Sequence, residues 1–402
     1  MSFLFQSPAA ARSPVYLDHH ATTPCDPRVV AAMMPCFEEA YGNPASSQHS
    51  WGRAARDRVE RARQQVAGLL GCRSAEVVFT SGATESDNLA LKGVMEAAGS
   101  AGGHLVTAVT EHKAVLDACA RLESRGYEVT YLGVDGDGRV SPAAVAQALR
   151  EDTVLVSLML ANNEIGVLHP IAEIGRQCRA RGVLLHCDAA QALATEDCDV
   201  EALGVDLLSV SAHKAYGPKG VGALYLRRRR PRVRLTSQLD GGGHEKGRRS
   251  GTLNVPGIVG FGEACALVAD QREGDARRLG RLRDRLLERL RSGHPGLRVH
   301  GSLEHRLPNN LNVSFPGIDA GRLLQGIGTV ALSSGAACSA PGSDGSYVLK
   351  ALPGGDAELG SLRFGLGRGT TRGDVDFAAR EVLEAVAAYR HRPPVEPCAT
   401  AC

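Results

Sequence analysis

The sequence predicts an α/β fold, with a large unit on a mainly parallel sheet and a smaller α+β unit after it. Two observations carry this expectation. Short apolar runs alternate with stretches of helical spacing over residues 15–262, the pattern of parallel strands joined by crossover helices. Beyond Gly262 the texture changes to a long charged helix and two further apolar segments. The length of 402 residues agrees, because it exceeds what one hydrophobic core usually serves.

In chain order, the strand candidates are Glu76-Val-Val-Phe-Thr80, His104-Leu-Val-Thr-Ala-Val109, Thr153-Val-Leu-Val-Ser-Leu-Met159, Gly182-Val-Leu-Leu-His186 and Val205-Asp-Leu-Leu-Ser-Val210. Residues 116–125 and 171–181 carry apolar side chains at helical spacing and supply crossovers. The charged helix covers residues 270–292, and Leu297-Arg-Val-His300 and Asn310-Leu-Asn-Val-Ser-Phe315 follow it. An amphipathic helix at 374–389 closes the pattern. The expected division is an arm at 1–14, a large unit at 15–262, a small unit at 263–391 that takes in part of the arm, and a Pro-rich tail at 392–402.

With 46 basic against 44 acidic residues, the net charge of +2 is too balanced to argue for nucleic acid or an anionic membrane. The basic run at 227–234 follows the apolar Val221-Gly-Ala-Leu-Tyr-Leu226 and reads as a solvated turn after a strand. No apolar stretch approaches the ~18 residues of a membrane crossing, and residues 1–13 lack a signal-peptide pattern. A cytoplasmic location is expected. Eleven cysteines are scattered without paired spacing, so most should be reduced and buried. Cys398 and Cys402 fall in the tail, where a terminus without fixed structure is expected. His19-His20 has no second pair at zinc-site spacing, and no bound metal is expected.

Three segments carry chemistry. Leu207-Leu-Ser-Val-Ser-Ala-His-Lys214-Ala-Tyr-Gly-Pro-Lys-Gly220 runs an apolar strand into a lysine and a Gly/Pro turn. Desolvation there would favour the free amine that an aldehyde cofactor needs, although alone the segment reads better as a surface lysine snorkelling from a strand end. Leu184-Leu-His-Cys-Asp188-Ala-Ala-Gln191 sets a carboxylate at the C-terminal edge of the sheet, where open α/β sheets bind ligands. Asp188 could pair with a protonated pyridine nitrogen or simply cap the next helix. Val77-Val-Phe-Thr-Ser81-Gly-Ala-Thr84-Glu-Ser-Asp-Asn88 gives a strand, a small-residue turn and a helix start, a cradle for phosphate or plain capping. Lysine, carboxylate and phosphate turn are more specific together than singly.

These stretches resemble the class V aminotransferase group of pyridoxal-phosphate enzymes, and specifically its NifS/IscS-type cysteine desulfurases. The blocks Tyr16-Leu-Asp-His-His-Ala-Thr-Thr-Pro24, Gly42-Asn-Pro-Ala45, Thr80-Ser-Gly-Ala-Thr-Glu-Ser86, Thr110-Glu-His-Lys113, Asn162-Asn-Glu-Ile-Gly166, Ser211-Ala-His-Lys214 and Arg249-Ser-Gly-Thr252 match in order, within residues 15–372. The resemblance implies fold type I of the pyridoxal-phosphate transferases, with a seven-stranded sheet. It implies that Lys214 binds pyridoxal phosphate covalently, that Asp188 pairs with the ring nitrogen and that His112 stacks on the ring. Ala83, Thr84, Ser211 and His213 would hold the phosphate, with Asn163 and Gln191 near the ring. The loop ending in Thr252 would reach the phosphate of a neighbouring subunit, which implies a homodimer.

Arg363 resembles the residue that grips the substrate carboxylate, a task suited to a guanidinium, and Asn43 would assist near the substrate. Ser333-Ser-Gly-Ala-Ala-Cys338-Ser-Ala-Pro-Gly-Ser-Asp-Gly345 sets one cysteine among small residues. By composition it is a solvent loop or a mobile nucleophile; the resemblance implies the nucleophile, which takes sulfur from L-cysteine as a persulfide and leaves L-alanine. The sulfur would pass to an acceptor protein, either an iron-sulfur scaffold or a thiolation enzyme. The family's iron-sulfur branch ends in an acidic, aromatic tail, whereas this chain ends in Arg390-His-Arg-Pro-Pro394 and the residues that follow. The alternatives are a selenocysteine lyase or another class V enzyme, and, from another class, a non-catalytic sulfur-relay subunit.

Overall fold

The computed structural model describes residues 14–99, 102–229, 232–334, 345–354 and 360–390. Its centre is a seven-stranded sheet. Across it lie, in order, Val77–Thr80, Gly222–Leu226, Leu207–Ser211, Leu184–Asp188, Thr153–Met159, His104–Ala108 and Glu128–Leu132. Gly222–Leu226 runs antiparallel to both neighbours and every other pairing is parallel. Apolar clusters cover both faces, as parallel strands require: Leu185, Cys187, Leu208 and Val210 on one, Leu105, Leu155, Leu207 and Leu224 on the other.

Two strands differ from expectation for identifiable reasons. The strand predicted from Gly182 begins at Leu184, because Gly182 takes the left-handed conformation (φ 69°) that ends the helix Ile171–Arg181. Glu128–Leu132, not foreseen, is an edge strand whose exposed and half-buried positions hide its period.

The charged helix is longer than its charges suggest, running from Val255 to Gly293. The expected helix starts only at residue 270, and the glycines before it are there for contact. A Cβ on Gly260 would lie 2.6 Å from Met33 Sδ, and one on Gly262 2.6 Å from Ala62. The helix therefore packs tightly on Ser50–Leu69, contributes Val255, Ile258, Phe261, Cys265 and Val268 to the main core, and then gives Leu279, Leu286, Leu287 and Leu290 to a second core.

That second core is completed by Arg372–Arg390 and a four-stranded antiparallel sheet in the order Ser333–Ser334, Leu362–Gly365, Asn310–Ser314, Arg298–Val299. Val15 and Leu17 of the N-terminal segment are buried in it. Among the described residues no helix is long and apolar enough to cross a membrane. The eight described cysteines are all free; Cys338, Cys398 and Cys402 lie outside the described residues.

Candidate active site

Strand ends at the C-terminal edge of the large sheet open onto a cavity of about 510 Å³, walled also by the N-terminal segment and by Arg363 of the small sheet. It brings together most of the residues expected from sequence. Ala83, Thr84, His112, Asn163, Asp188, Gln191, Ser211, His213, Lys214 and Arg363 all line it.

Lys214 ends a short 3-10 turn, Ala212–Lys214, that directly continues the strand Leu207–Ser211. Its Nζ donates to the carbonyl of His20, so the N-terminal segment forms the opposite wall. His20 sets Nδ1 3.1 Å from Gln191 Oε1, and burial pushes its pKa down to about 3. The neighbouring His19 sets Nδ1 2.9 Å from the Gly365 carbonyl. Both histidines are thus packing and cavity-wall groups. His213 lies 3.1 Å from Thr22 Oγ1, and burial, then the Lys214 cation, lowers it to about 4.

Asp188 is buried at the end of its strand, and one oxygen accepts from the Ala190 N–H at 2.9 Å. Two residues earlier His186 projects to the same face, a consequence of strand alternation. His186 bridges Ser157 and Ser209, each at 2.9 Å, and lies 3.6 Å from Asp87, which comes down from the helix Ala83–Ala98. Burial and then the negative Asp188 raise Asp87 well above the carboxylate range; burial raises Asp188 too, but the Ala190 N–H, His112 and Lys214 oppose it and favour its charged form. The proton of this pair therefore belongs on Asp87, leaving Asp188 as the anion facing the cavity.

The turn after Val77–Thr80 begins the helix Ala83–Ala98 with Gly82 as its cap, so its first N–H groups face the cavity. Gly222 lets this turn come close, since a Cβ there would lie 2.8 Å from Gly82 Cα. Glu85 in the first helical turn accepts from Ser81 N–H at 2.7 Å and pairs with Arg249 at 2.8 Å. His112 caps the helix Lys113–Glu123, with Nδ1 accepting from Ala114 N–H at 3.1 Å.

Arg363 is only 1% exposed. One terminal nitrogen donates to the Asn163 carbonyl at 2.8 Å and the other to Asp18 at 2.9 Å, while its buried Nε has no hydrogen-bond partner among the described residues. His20 Nε2 and Asn163 Oδ1 are likewise buried without partners. Three cavity residues thus hold unsatisfied polar atoms, an arrangement that a polar ligand would complete. Gly166 (φ 71°) lets the Asn163 turn lie against Asn310, whose side chain occupies the space a Cβ would need.

Asn43 and Thr252 are exposed and do not line the cavity. Instead their neighbours Pro44, Ala45 and Leu253 line a separate groove of about 350 Å³. The loop before Thr252 is fixed there by Glu245, which pairs with Arg63 at 2.7 Å and accepts from Phe79 N–H at 2.9 Å. Cys338 lies outside the described residues, although the strand leading to it, Ser333–Ser334, pairs with the strand of Arg363. Asp18, His20, Asp87 and His186 were missed from sequence. Only the Asp18-His19-His20 block gave a signal, as part of the block Tyr16-Leu-Asp-His-His-Ala-Thr-Thr-Pro24 that resembles the family.

Residues 15–377 match the family described as aminotransferase class-V. A protein of Anaeromyxobacter sp. (strain Fw109-5) named cysteine desulfurase IscS is 55% identical over 383 residues, covering 95% of each chain. A solved structure described as a NifS-like protein superposes with a TM-score of 0.87 at 36% identity, over 93% of this chain and all of that one. Another, described as SspA in complex with cysteine, gives a TM-score of 0.77 at 34% identity, over 88% of this chain and 98% of that one.

Proposed function

The chain belongs to the aminotransferase class-V family and is a cysteine desulfurase, and from that premise we propose how its residues divide the work. The carrying observation is that Lys214, Asp188 and Arg363 face one cavity. Pyridoxal phosphate fits these residues: an amine on one wall, a buried carboxylate for a ring nitrogen, and helix N–H groups beside Ser211 and His213 for a phosphate. When bound, it supplies an electron sink for charge developing at the substrate Cα.

Arg363 binds the carboxylate of L-cysteine through its free Nε, and Asn163 and Asp18 hold the guanidinium plane. Lys214 Nζ removes the α-proton. The Cys338 thiolate attacks the substrate sulfur, so the S–S bond forms as the Cβ–S bond breaks. The bonding pair stays with Cβ, which takes up a proton with His112 as the candidate donor, Lys214 Nζ returns a proton to Cα, and the product leaves as L-alanine. The role of Cys338 rests on the resemblance of its block; burial raises the thiol pKa of all eight described cysteines, to about 12 for Cys72, Cys119, Cys178 and Cys198. None is poised as a thiolate. The persulfide then passes to an acceptor protein of iron-sulfur assembly or of thiolation.

The active unit is a homodimer. Five of the eight exposed large apolar side chains among the described residues, Val30, Met34, Phe37, Tyr41 and Trp51, fall within residues 30–51. Asn43 falls in the same stretch, and the residues after it, Pro44 and Ala45, line a groove with Leu253, next to Thr252. A second copy covering it would give Asn43 and Thr252 a role across the interface.

Purified enzyme should show visible absorbance that borohydride abolishes, and should convert cysteine to alanine with sulfur on Cys338. Cys338→Ala should keep the colour and lose the persulfide. Normal sulfide and alanine output from that variant would remove Cys338 from the mechanism, and a colourless protein that cannot be reconstituted would sink the cofactor assignment.

A further inference from the structure

Two residues after Lys214 the backbone takes a shape that side chains rarely accept. Tyr216 has φ 63°, one of three non-glycine residues in the left-handed region among those described, and the other two belong to the Thr252 loop. Such strain persists only where surrounding contacts over-determine it. Here they do so from four sides. Tyr216 N–H donates to Thr23 Oγ1 at 2.9 Å, and its carbonyl accepts from Asp26 N–H at 2.9 Å. The hydroxyl accepts from Arg368 N–H at 2.6 Å, and the Arg368 guanidinium stands 4.2 Å over the ring. Arg368 is itself held by Asp275 at 2.8 Å and Asp26 at 3.1 Å.

The clamp closes on Lys214 from both ends. Thr23, which receives the Tyr216 N–H, donates its own hydroxyl to the His213 carbonyl at 2.9 Å. Gly217 N–H returns to the Ala212 carbonyl at 2.9 Å, so the backbone around Lys214 has little freedom to turn. Arg368 also lies five residues after Arg363, along a segment packed against His19 and His20, the latter being the carbonyl partner of Lys214 Nζ.

We propose that Tyr216 and Arg368 are positioning residues: their clamp fixes the strained turn that aims Lys214 and joins it mechanically to the carboxylate-gripping Arg363. The proposal rests on Lys214 being the cofactor-bearing lysine. Neither residue touches substrate, since neither lines the cavity. Their effect is on the angle and freedom of the Lys214 amine at proton transfer, where small misplacements are costly.

The test uses holoenzyme carrying Tyr216→Phe, Arg368→Gln or Arg368→Lys. Two quantities are read: the pH at which the visible band of the bound cofactor titrates, and alanine formed in a single turnover at rising cysteine. Arg368→Gln should slow the saturated turnover on the order of tenfold with a smaller rise in KM through the segment shared with Arg363, because the lost interaction acts mainly at the chemical step. It should raise the titration midpoint, because a less constrained amine finds partners for its protonated form more easily. Tyr216→Phe, which keeps the ring but loses the hydroxyl contact, should do the same to a smaller extent. Arg368→Lys should recover part of both effects. A lower melting temperature with midpoint and turnover unmoved would mean a merely structural clamp and overturn the proposal. A wild-type holoenzyme with no titrating band would instead overturn the assignment of Lys214, and the clamp's purpose with it.

Discussion

Ser333 stands directly opposite Arg363 in the small sheet, and the two side chains bind the same oxygen of Asp18, at 3.0 and 2.9 Å. The residue proposed to hold the substrate carboxylate and the strand leading to Cys338 are thus anchored on one carboxylate. Asp18→Asn should raise KM for cysteine about tenfold, the worth of one weakened charge-assisted hydrogen bond, with a smaller change in kcat. Ser333→Ala should change KM about twofold. Steady-state kinetics decides, and an unchanged KM for Asp18→Asn would separate Asp18 from substrate binding.

Asp87 carries its proton, so the isosteric amide should replace it with little loss. Asp87→Asn is expected to unfold in urea within about 1 kcal/mol of the wild type. Asp188→Asn, by contrast, should lose most alanine formation, because the anion facing the cavity is gone. Equal losses in both variants would mean that the proton has been placed on the wrong carboxyl.

Burial pushes Glu164 from 4.5 up to about 7, against the opposing hydrogen bond from Ser346. An acid with a raised folded-state value is easier to ionise in the unfolded chain. Stability from this group is therefore fully present below about pH 4.5 and falls as pH rises to about 7, by up to roughly 3 kcal/mol. Glu164→Gln should match the wild type near pH 4.5 and exceed it near pH 8. Glu196, also raised to about 7, contributes to both proteins and cancels in the difference. Urea unfolding of the pair at the two pH values checks the sign.

Placing charges in the apolar patch should separate the proposed subunits. Phe37 and Trp51 are 56% and 48% exposed, so Phe37→Glu with Trp51→Glu costs little in the folded chain. Light scattering should report half the wild-type mass. A wild type that is already monomeric, or a variant of unchanged mass, would place the interface elsewhere.

The placement of Lys214 and Asp188 at one sheet edge was legible because an apolar strand leads to each, whereas their roles came from the resemblance. Asp18 was not, since its partner Arg363 lies 345 residues away and meets it only after the small sheet forms. Asp87 reads in sequence as one of several polar residues in a helix's first turns. Nothing local says that its face of the helix covers His186. The start of the long helix was hidden for the opposite reason: Gly260 and Gly262 are poor helix formers whose cost is offset by close contact with Met33 and Ala62, some 200 residues earlier. Asn43 and Thr252 show what one chain's geometry leaves open, for their expected partners lie on another copy.

The helix from Val255 to Gly293, about 58 Å at 1.5 Å per residue, is one rod with each half embedded in a different core. Melting either core strips half of that rod of its packing, from which most of a helix's stability in a protein comes. Unfolding free energy is thereby shared between the two, and a calorimeter should record one transition where two separable units would give two. Limited proteolysis that cuts the rod near its middle should for the same reason release no stable fragment from either side.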